Sequence, residues 1–238
     1  KGHALSGSCP RFLSEGILMK KFNTACSVVI IFTIAIFLIT ISQNLVVRSA
    51  EVYSFYFNDS GAVSELYTSL STSEIADGIA EFMNSWHPSE FQIYEDTGYD
   101  MQGIFTKEEG ANMMQVKKWV DISAILCIVS LILTAAIYWH LIKSDEKARL
   151  RSSFKIAMGL SLAAAVGEVI VLLSHQGRAW LANLMGLTPL PEDSQLKIVL
   201  GPEFLSMATG FLVLVTFIVF TVCAYLNYRL TKPPRIFY

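Results

Sequence analysis

The sequence predicts an all-α membrane protein: four transmembrane helices with an extracellular, mainly helical cap between spans one and two. Three observations carry this prediction. Four mostly apolar runs, 25–47, 120–142, 154–173 and 204–226, are each bounded by charged or polar residues, and each has about the 20 residues needed to cross roughly 30 Å of hydrocarbon. Of the 238 residues, 53% are hydrophobic and 16% charged, with a mean hydropathy of +0.48; a soluble domain has about a quarter of its residues charged. Lysine and arginine concentrate in alternate connections, as they do on the cytoplasmic side of a bilayer.

That bias orients the chain. Lys20 and Lys21 precede span one; Lys143, Lys147, Arg149, Arg151 and Lys155 lie at or near the connection between spans two and three; Arg229, Lys232 and Arg235 follow span four. Both termini are then cytoplasmic. The segments 48–118 and 174–203 are extracellular, and 12 of the 20 acids lie between Glu51 and Glu109.

Residues 1–18 are polar, without a hydrophobic pattern, and precede Met19-Lys20-Lys21-Phe22. They are expected to be an upstream leader or non-native start, with Met19 the initiator. In the cap, Ser71-Thr72-Ser73-Glu74 fits a capping box, in which hydroxyl and carboxylate each satisfy a helix-start amide. Ile75, Ile79, Phe82, Met83 and Trp86 recur at three and four, so a helix with one apolar face is expected to about Trp86. His87-Pro88 should end it, since the residue before proline avoids the helical region. A hairpin is expected over Phe91 to Phe105, with Thr97-Gly98 at its turn. A second capping box, Thr106-Lys107-Glu108-Glu109, opens a helix with no proline before span two, so it should run straight into the bilayer. The remaining segments are a cytoplasmic loop 143–153, an extracellular loop 174–203 and a cytoplasmic tail 227–238.

No basic stripe with interleaved aromatics is long enough to track a phosphate backbone, so no nucleic acid is expected as a partner. Cys26, Cys127 and Cys223 lie in apolar runs and Cys9 near the start, a spacing that suggests neither a metal site nor a disulfide framework. Of the four histidines, His3 and His140 fall outside the outer boundary, whereas His87 and His175 lie on it and an imidazole there can act as general base; hydrogen bonding to headgroups or loop backbone is the plainer reading of either. Glu168 is the one carboxylate well inside a span, a costly placement that points to function. Two helical turns from Glu168 to His175 would set them on one face about 10 Å apart, lining one cavity. Asp121 reads as an interfacial anchor. Tyr53, Tyr56, Phe105 and Trp180, with their aromatic neighbours, make either an interfacial belt or a lipid-binding pocket under the cap.

Leu70-Ser71-Thr72-Ser73-Glu74-Ile75, then Phe105-Thr106-Lys107-Glu108-Glu109-Gly110-Ala111-Asn112-Met113-Met114-Gln115-Val116-Lys117, with Pro191-Glu192-Asp193-Ser194-Gln195-Leu196 and Gly201-Pro202-Glu203-Phe204 further on, resemble the bacterial four-span family that includes the lipoprotein intramolecular transacylase. The likeness covers most of 19–238. It implies a multi-pass protein of the bacterial cytoplasmic membrane, a membrane lipid or lipoprotein as partner, and no metal or organic cofactor. The implied reaction moves an acyl group from the glyceryl ester of a lipoprotein to the amine of its N-terminal cysteine. The family motif is glutamate, two residues, histidine, methionine, one residue, then aspartate-valine-lysine; here Asn112 replaces the histidine and Gln115 the aspartate. His175 is the counterpart implied for a second family histidine and the candidate base. Asn112 and Glu109 would position substrate, with His87, Glu168, Tyr53, Tyr56, Phe105 and Trp180 around it. An amide takes no proton from an attacking amine near neutral pH. The readings left open are a divergent acyltransferase, an inactive relative, and a non-catalytic accessory protein that binds lipid, peptide or partner; an autonomous transporter fits least, as no repeat is visible.

Overall fold

The computed structural model describes residues 10–66, 68–86, 90–96 and 98–232. Eight α-helices and one short hairpin occur among them: α1 (Pro10–Val47), α2 (Ala50–Ser60), α3 (Thr72–Asn84), β1 (Tyr94–Asp96), β2 (Met101–Gly103), α4 (Lys107–Lys143), α5 (Lys147–Leu173), α6 (His175–Met185), α7 (Gln195–Leu200) and α8 (Pro202–Thr231). Four of the helical segments are long and apolar enough to cross a membrane. The all-α, four-span class is therefore the observed one.

α1 occupies the middle of the bundle. It packs against α4, α5 and α8, while α5 packs on α8. In its most apolar stretch 39% of residues are buried within the protein, against 11% in each other span; α4, α5 and α8 thus turn most of their surface to lipid. At the end away from the cap, Ile30, Ile34 and Leu38 meet Leu141, Leu150, Phe154 and Ala157. The turn joining α4 to α5 is only Ser144 to Glu146, with Asp145 in the left-handed region at φ 55°, where aspartate is among the few side chains tolerated. The segment expected as a loop to residue 153 is mostly the first two turns of α5, whose basic side chains keep them wet. Asn23 fastens this end, accepting a hydrogen bond from His140 Nε2 at 2.9 Å and donating to Glu146 at 3.5 Å.

The cap has its own core. Phe57, Ile75, Ile79, Met83, Phe91, Phe105, Met113, Leu196 and Val199 are all buried together. Both predicted capping boxes form, at Ser71 and at Thr106. α3 stops two residues earlier than the hydrophobic spacing suggests, because Ser85 is extended and side chains satisfy the last carbonyls: Ser85 Oγ donates to Phe82 at 2.7 Å and Asn84 Nδ2 to Ala80 at 2.9 Å. In the hairpin Tyr94 faces Gly103 and Asp96 faces Met101. One rung beyond, the Gln92 side chain substitutes for a strand, donating to the Phe105 carbonyl at 2.7 Å and accepting from its amide at 2.9 Å. Thr97, expected at the turn, lies outside the described residues.

α6 and α7 were not expected inside 174–203. Ser174 and Ser194 cap them, each accepting from the amide three residues on, and Gly186 ends α6 at φ 72°, a conformation costly for residues with a Cβ. Ile79 is fully buried on the apolar face of α3. Ile79→Ala is expected to destabilise the protein by about 2–5 kcal/mol, measured as a lowered unfolding midpoint in detergent.

Candidate functional site

Two tiers of buried polar contacts are built on α4, and the upper one holds Glu109 and Asn112. The upper tier is its first turn and a half. Glu109 is 2% exposed and lies eleven residues before the apolar run of α4 begins at Val120, outside the hydrocarbon. Its Oε2 accepts from the Thr106 amide at 2.7 Å as part of the capping box; its Oε1 accepts from Ser194 Oγ at 2.5 Å and from the Leu196 amide at 3.0 Å. Burial disfavours the carboxylate, but the hydrogen bonds from Ser194, Leu196 and Thr106 outweigh it, so its pKa lies below the ordinary glutamate value.

One turn on, Asn112 is buried against the α6–α7 connection. Its Nδ2 donates to the Thr188 carbonyl at 2.9 Å, while its Oδ1 accepts from both the Thr188 amide and hydroxyl at 2.9 Å. Glu109 and Asn112 are thus brought together as two clasps on one loop. An open cleft of about 480 Å³ adjoins Glu109, lined also by Thr106, Lys107, Leu190, Pro191 and Ser194 among others.

The lower tier sits where α1 and α4 leave the cap. Lys117, 2% exposed, reaches Asp121 at 3.1 Å and the Met83 carbonyl at 3.3 Å, with its ammonium 5.7 Å from the Phe82 ring centre. Arg48 shares Asp121 at 2.8 Å, donates to the same Met83 carbonyl, and bonds Asn44 through Nε at 3.0 Å. Asn84 Nδ2 completes the joint by donating to the Arg48 carbonyl at 2.9 Å. Asp121, read as an interfacial anchor, holds two cations, Lys117 of its own helix and Arg48 just past the end of α1. Nothing in the linear sequence pairs Arg48 with Lys117, since 69 positions separate them; a charged pair at Lys117 and Asp121, spaced i to i+4, was the one legible sign.

Other expectations change. Ser174 is extended and separates α5 from α6, so Glu168 and His175 do not share the face of one continuous helix; the serine side chain caps a new helix more favourably than it would sit in an old one. His175 is exposed on the first turn of α6, which packs on α4. Glu168 turns instead to α1, where Gln43 Nε2 donates to it at 2.6 Å. Tyr53, Tyr56 and Phe105 are 3%, 6% and 3% exposed and fill the cap core rather than line a pocket. Tyr53 stacks on Phe204 with ring centres 5.4 Å apart, and its hydroxyl donates to the Val47 carbonyl at 2.6 Å; burial pushes that hydroxyl's pKa well up, Arg48 offsetting a part. Phe105 packs on Phe91 at 4.9 Å. Trp180 is exposed on α6. His87 lies outside the described residues. Among the described residues, no group of histidine, cysteine and acidic side chains is placed to hold a metal.

The family model of the lipoprotein intramolecular transacylase Lit matches residues 28–176. The solved structure of the membrane integral Lit from Bacillus cereus superposes with a TM-score of 0.69 at 12% identity, over 90% of this chain and 97% of that one. A histidine-to-alanine variant of the same protein gives 0.71 at 13% identity, over 92% and 97%. At such identity the shared property is the fold. No curated protein matches the chain.

Two measurements test the tiers. Asp121→Ala leaves a buried ammonium without its counter-charge and is expected to cost roughly 1–3 kcal/mol, less than a fully buried pair because Asp121 is 37% exposed; Lys117→Met in the same chain should recover part, read in a double-mutant cycle of unfolding. Because Glu109 has a depressed folded pKa, the stability it contributes is present above the ordinary glutamate pKa of about 4.3 and is lost as pH falls through the lower folded value. Acid unfolding curves of the native chain should therefore fall more steeply below that range than those of Glu109→Gln.

Proposed function

The chain belongs to the lipoprotein intramolecular transacylase Lit family, and from that premise we propose that it transfers an acyl group, within a lipoprotein, from the glyceryl ester to the amine of the N-terminal cysteine. The observation that carries this reading is the clasped start of α4: the motif residues Glu109 and Asn112 hold the α6–α7 loop against the cap, next to the helix that begins at His175.

The reaction forms a nitrogen–carbon bond at the acyl carbon, breaks the ester carbon–oxygen bond, and moves one proton from the amine to the glyceryl oxygen. In this reading His175 carries that proton, since its imidazole is exposed at the start of α6 and a ring nitrogen can accept it and return it. Glu109 and Asn112 act by position: they fix the loop that closes one side of the adjoining cleft. The lysine and arginine distribution supports an orientation with both termini cytoplasmic and the cap extracellular, where an N-terminally lipidated protein presents its amine. The partners are then the bilayer and a lipoprotein held by its acyl chains.

A second reading has its own observation. Asn112 stands where the family motif has histidine, and three hydrogen bonds to Thr188 engage both ends of its amide, as a joint and not as a base. That arrangement favours an accessory protein that binds a lipid or lipoprotein without turning it over. Mass spectrometry of a lipoprotein N-terminus separates the two, using a host that makes only the diacylglyceryl form and expresses this chain. Acyl migration to the cysteine amine is expected, with a loss of at least about 100-fold in His175→Ala; an unchanged N-terminus, in a host where another member of the family converts it, would establish the accessory reading.

A further inference from the structure

Glu168 lies five residues before the end of α5, about 7 Å below the cap-side end of the helix. It is half-buried. A polar seam leads from it toward the boundary: Gln43 Nε2 donates to Glu168 Oε1 at 2.6 Å, Ser123 Oγ donates to Gln43 Oε1 at 3.2 Å, Asn44 Nδ2 donates to Ser123 Oγ at 3.1 Å, and Arg48 Nε donates to Asn44 Oδ1 at 3.0 Å. The seam draws on three helices at one level of the bundle.

The cations of the boundary do not reach this acid. Arg48 and Lys117 are both committed to Asp121. Among the described residues no lysine, arginine or histidine forms a salt bridge with Glu168, and the Gln43 amide that donates to it is neutral and engages Oε1. A carboxyl at hydrocarbon depth is costly, and its second oxygen retains acceptor capacity. A neutral glutamine would make the Gln43 contact equally well, so that contact alone gives no reason for an acid. What an unpaired carboxylate adds is affinity for a cation brought into a low-dielectric seam. The half-exposed position limits the source to an amphiphile already in the lipid.

We propose that Glu168, anchored by Gln43, is an ammonium-binding subsite that receives the protonated primary amine of an acylated amphiphile. The carboxylate balances the charge, while the Gln43 and Ser123 oxygens are the further acceptors at that level for the remaining N–H groups. An anionic headgroup would be repelled, and a neutral one would gain no charge pairing. The inference rests on the acyl-transfer reading for which amine is bound, the N-terminal amine of the lipoprotein, which becomes the neutral nucleophile by giving one proton to the Glu168 carboxylate, and stands apart from it for the binding itself.

The test measures binding to the purified full chain in detergent, using a diacylglycerol analogue bearing a primary amine and its N-acetylated counterpart. The native chain is expected to prefer the amine by about tenfold or more. Glu168→Gln keeps an acceptor for Gln43 and should lose the preference while its unfolding midpoint stays in place. Gln43→Leu, which removes the anchor and one acceptor but leaves the carboxylate, should reduce the preference without abolishing it, and is the second variant if Glu168→Gln fails to fold. Equal binding of the two lipids by the native chain, or a preference that survives Glu168→Gln or is unchanged in Gln43→Leu, would overturn the subsite. An amine preference without acyl migration in the lipoprotein assay would retain the subsite and overturn the transfer reaction; migration without the preference would do the reverse.

Discussion

The structure depends on keeping one buried positive charge satisfied at the edge of a membrane. Lys117 is almost wholly enclosed, and an ammonium so placed is tolerated only with a counter-charge and acceptors. Asp121 and the Met83 carbonyl supply these, and Arg48 binds the same two groups from just past the end of α1. Three segments are tied by this joint: the exit of α1, the end of α3 and the start of the spanning part of α4. Removing any one leaves polar groups of the others unpaired, which makes the boundary more specific in geometry than apolar packing alone would.

Above the joint the same logic recurs with neutral groups. Asn112 presents a donor and an acceptor side by side to a peptide group that presents the complement, as Gln92 does to Phe105. A neutral imidazole has one donor and one acceptor on opposite sides of a ring, so it would not close the same two-way contact with Thr188. The asparagine therefore holds the loop from both sides of its amide.

Much of this was legible along the chain, for physical reasons. The spans are set by length and hydropathy, and the starts of α3 and α4 by capping boxes, all of which are local. The end of α3 was misjudged because Asn84 and Ser85 stop it with hydrogen bonds that hydrophobic spacing does not encode. α6 and α7 begin at single serines without a reciprocal acid, a weaker signal than a capping box. Glu109 and Asn112 stood out through their motif, yet their partners Ser194 and Thr188 are more than 70 residues away. Arg48 and Lys117 were overlooked for the same reason, and Glu168 was assigned a neighbour on its own helix when its partner lies on α1.

α4 runs unbroken for 37 residues from the foot of the cap to the far side of the bundle, about 55 Å at 1.5 Å per residue. Such a rod behaves as a lever. The cap cannot nod over the bilayer like a hinged lid, because any tilt of its base swings the opposite end of the helix through the other leaflet. A change in bilayer thickness that tips the rod would likewise rotate the cap as a body. Relative motion between cap and bundle then falls to the shorter pieces that flank the rod.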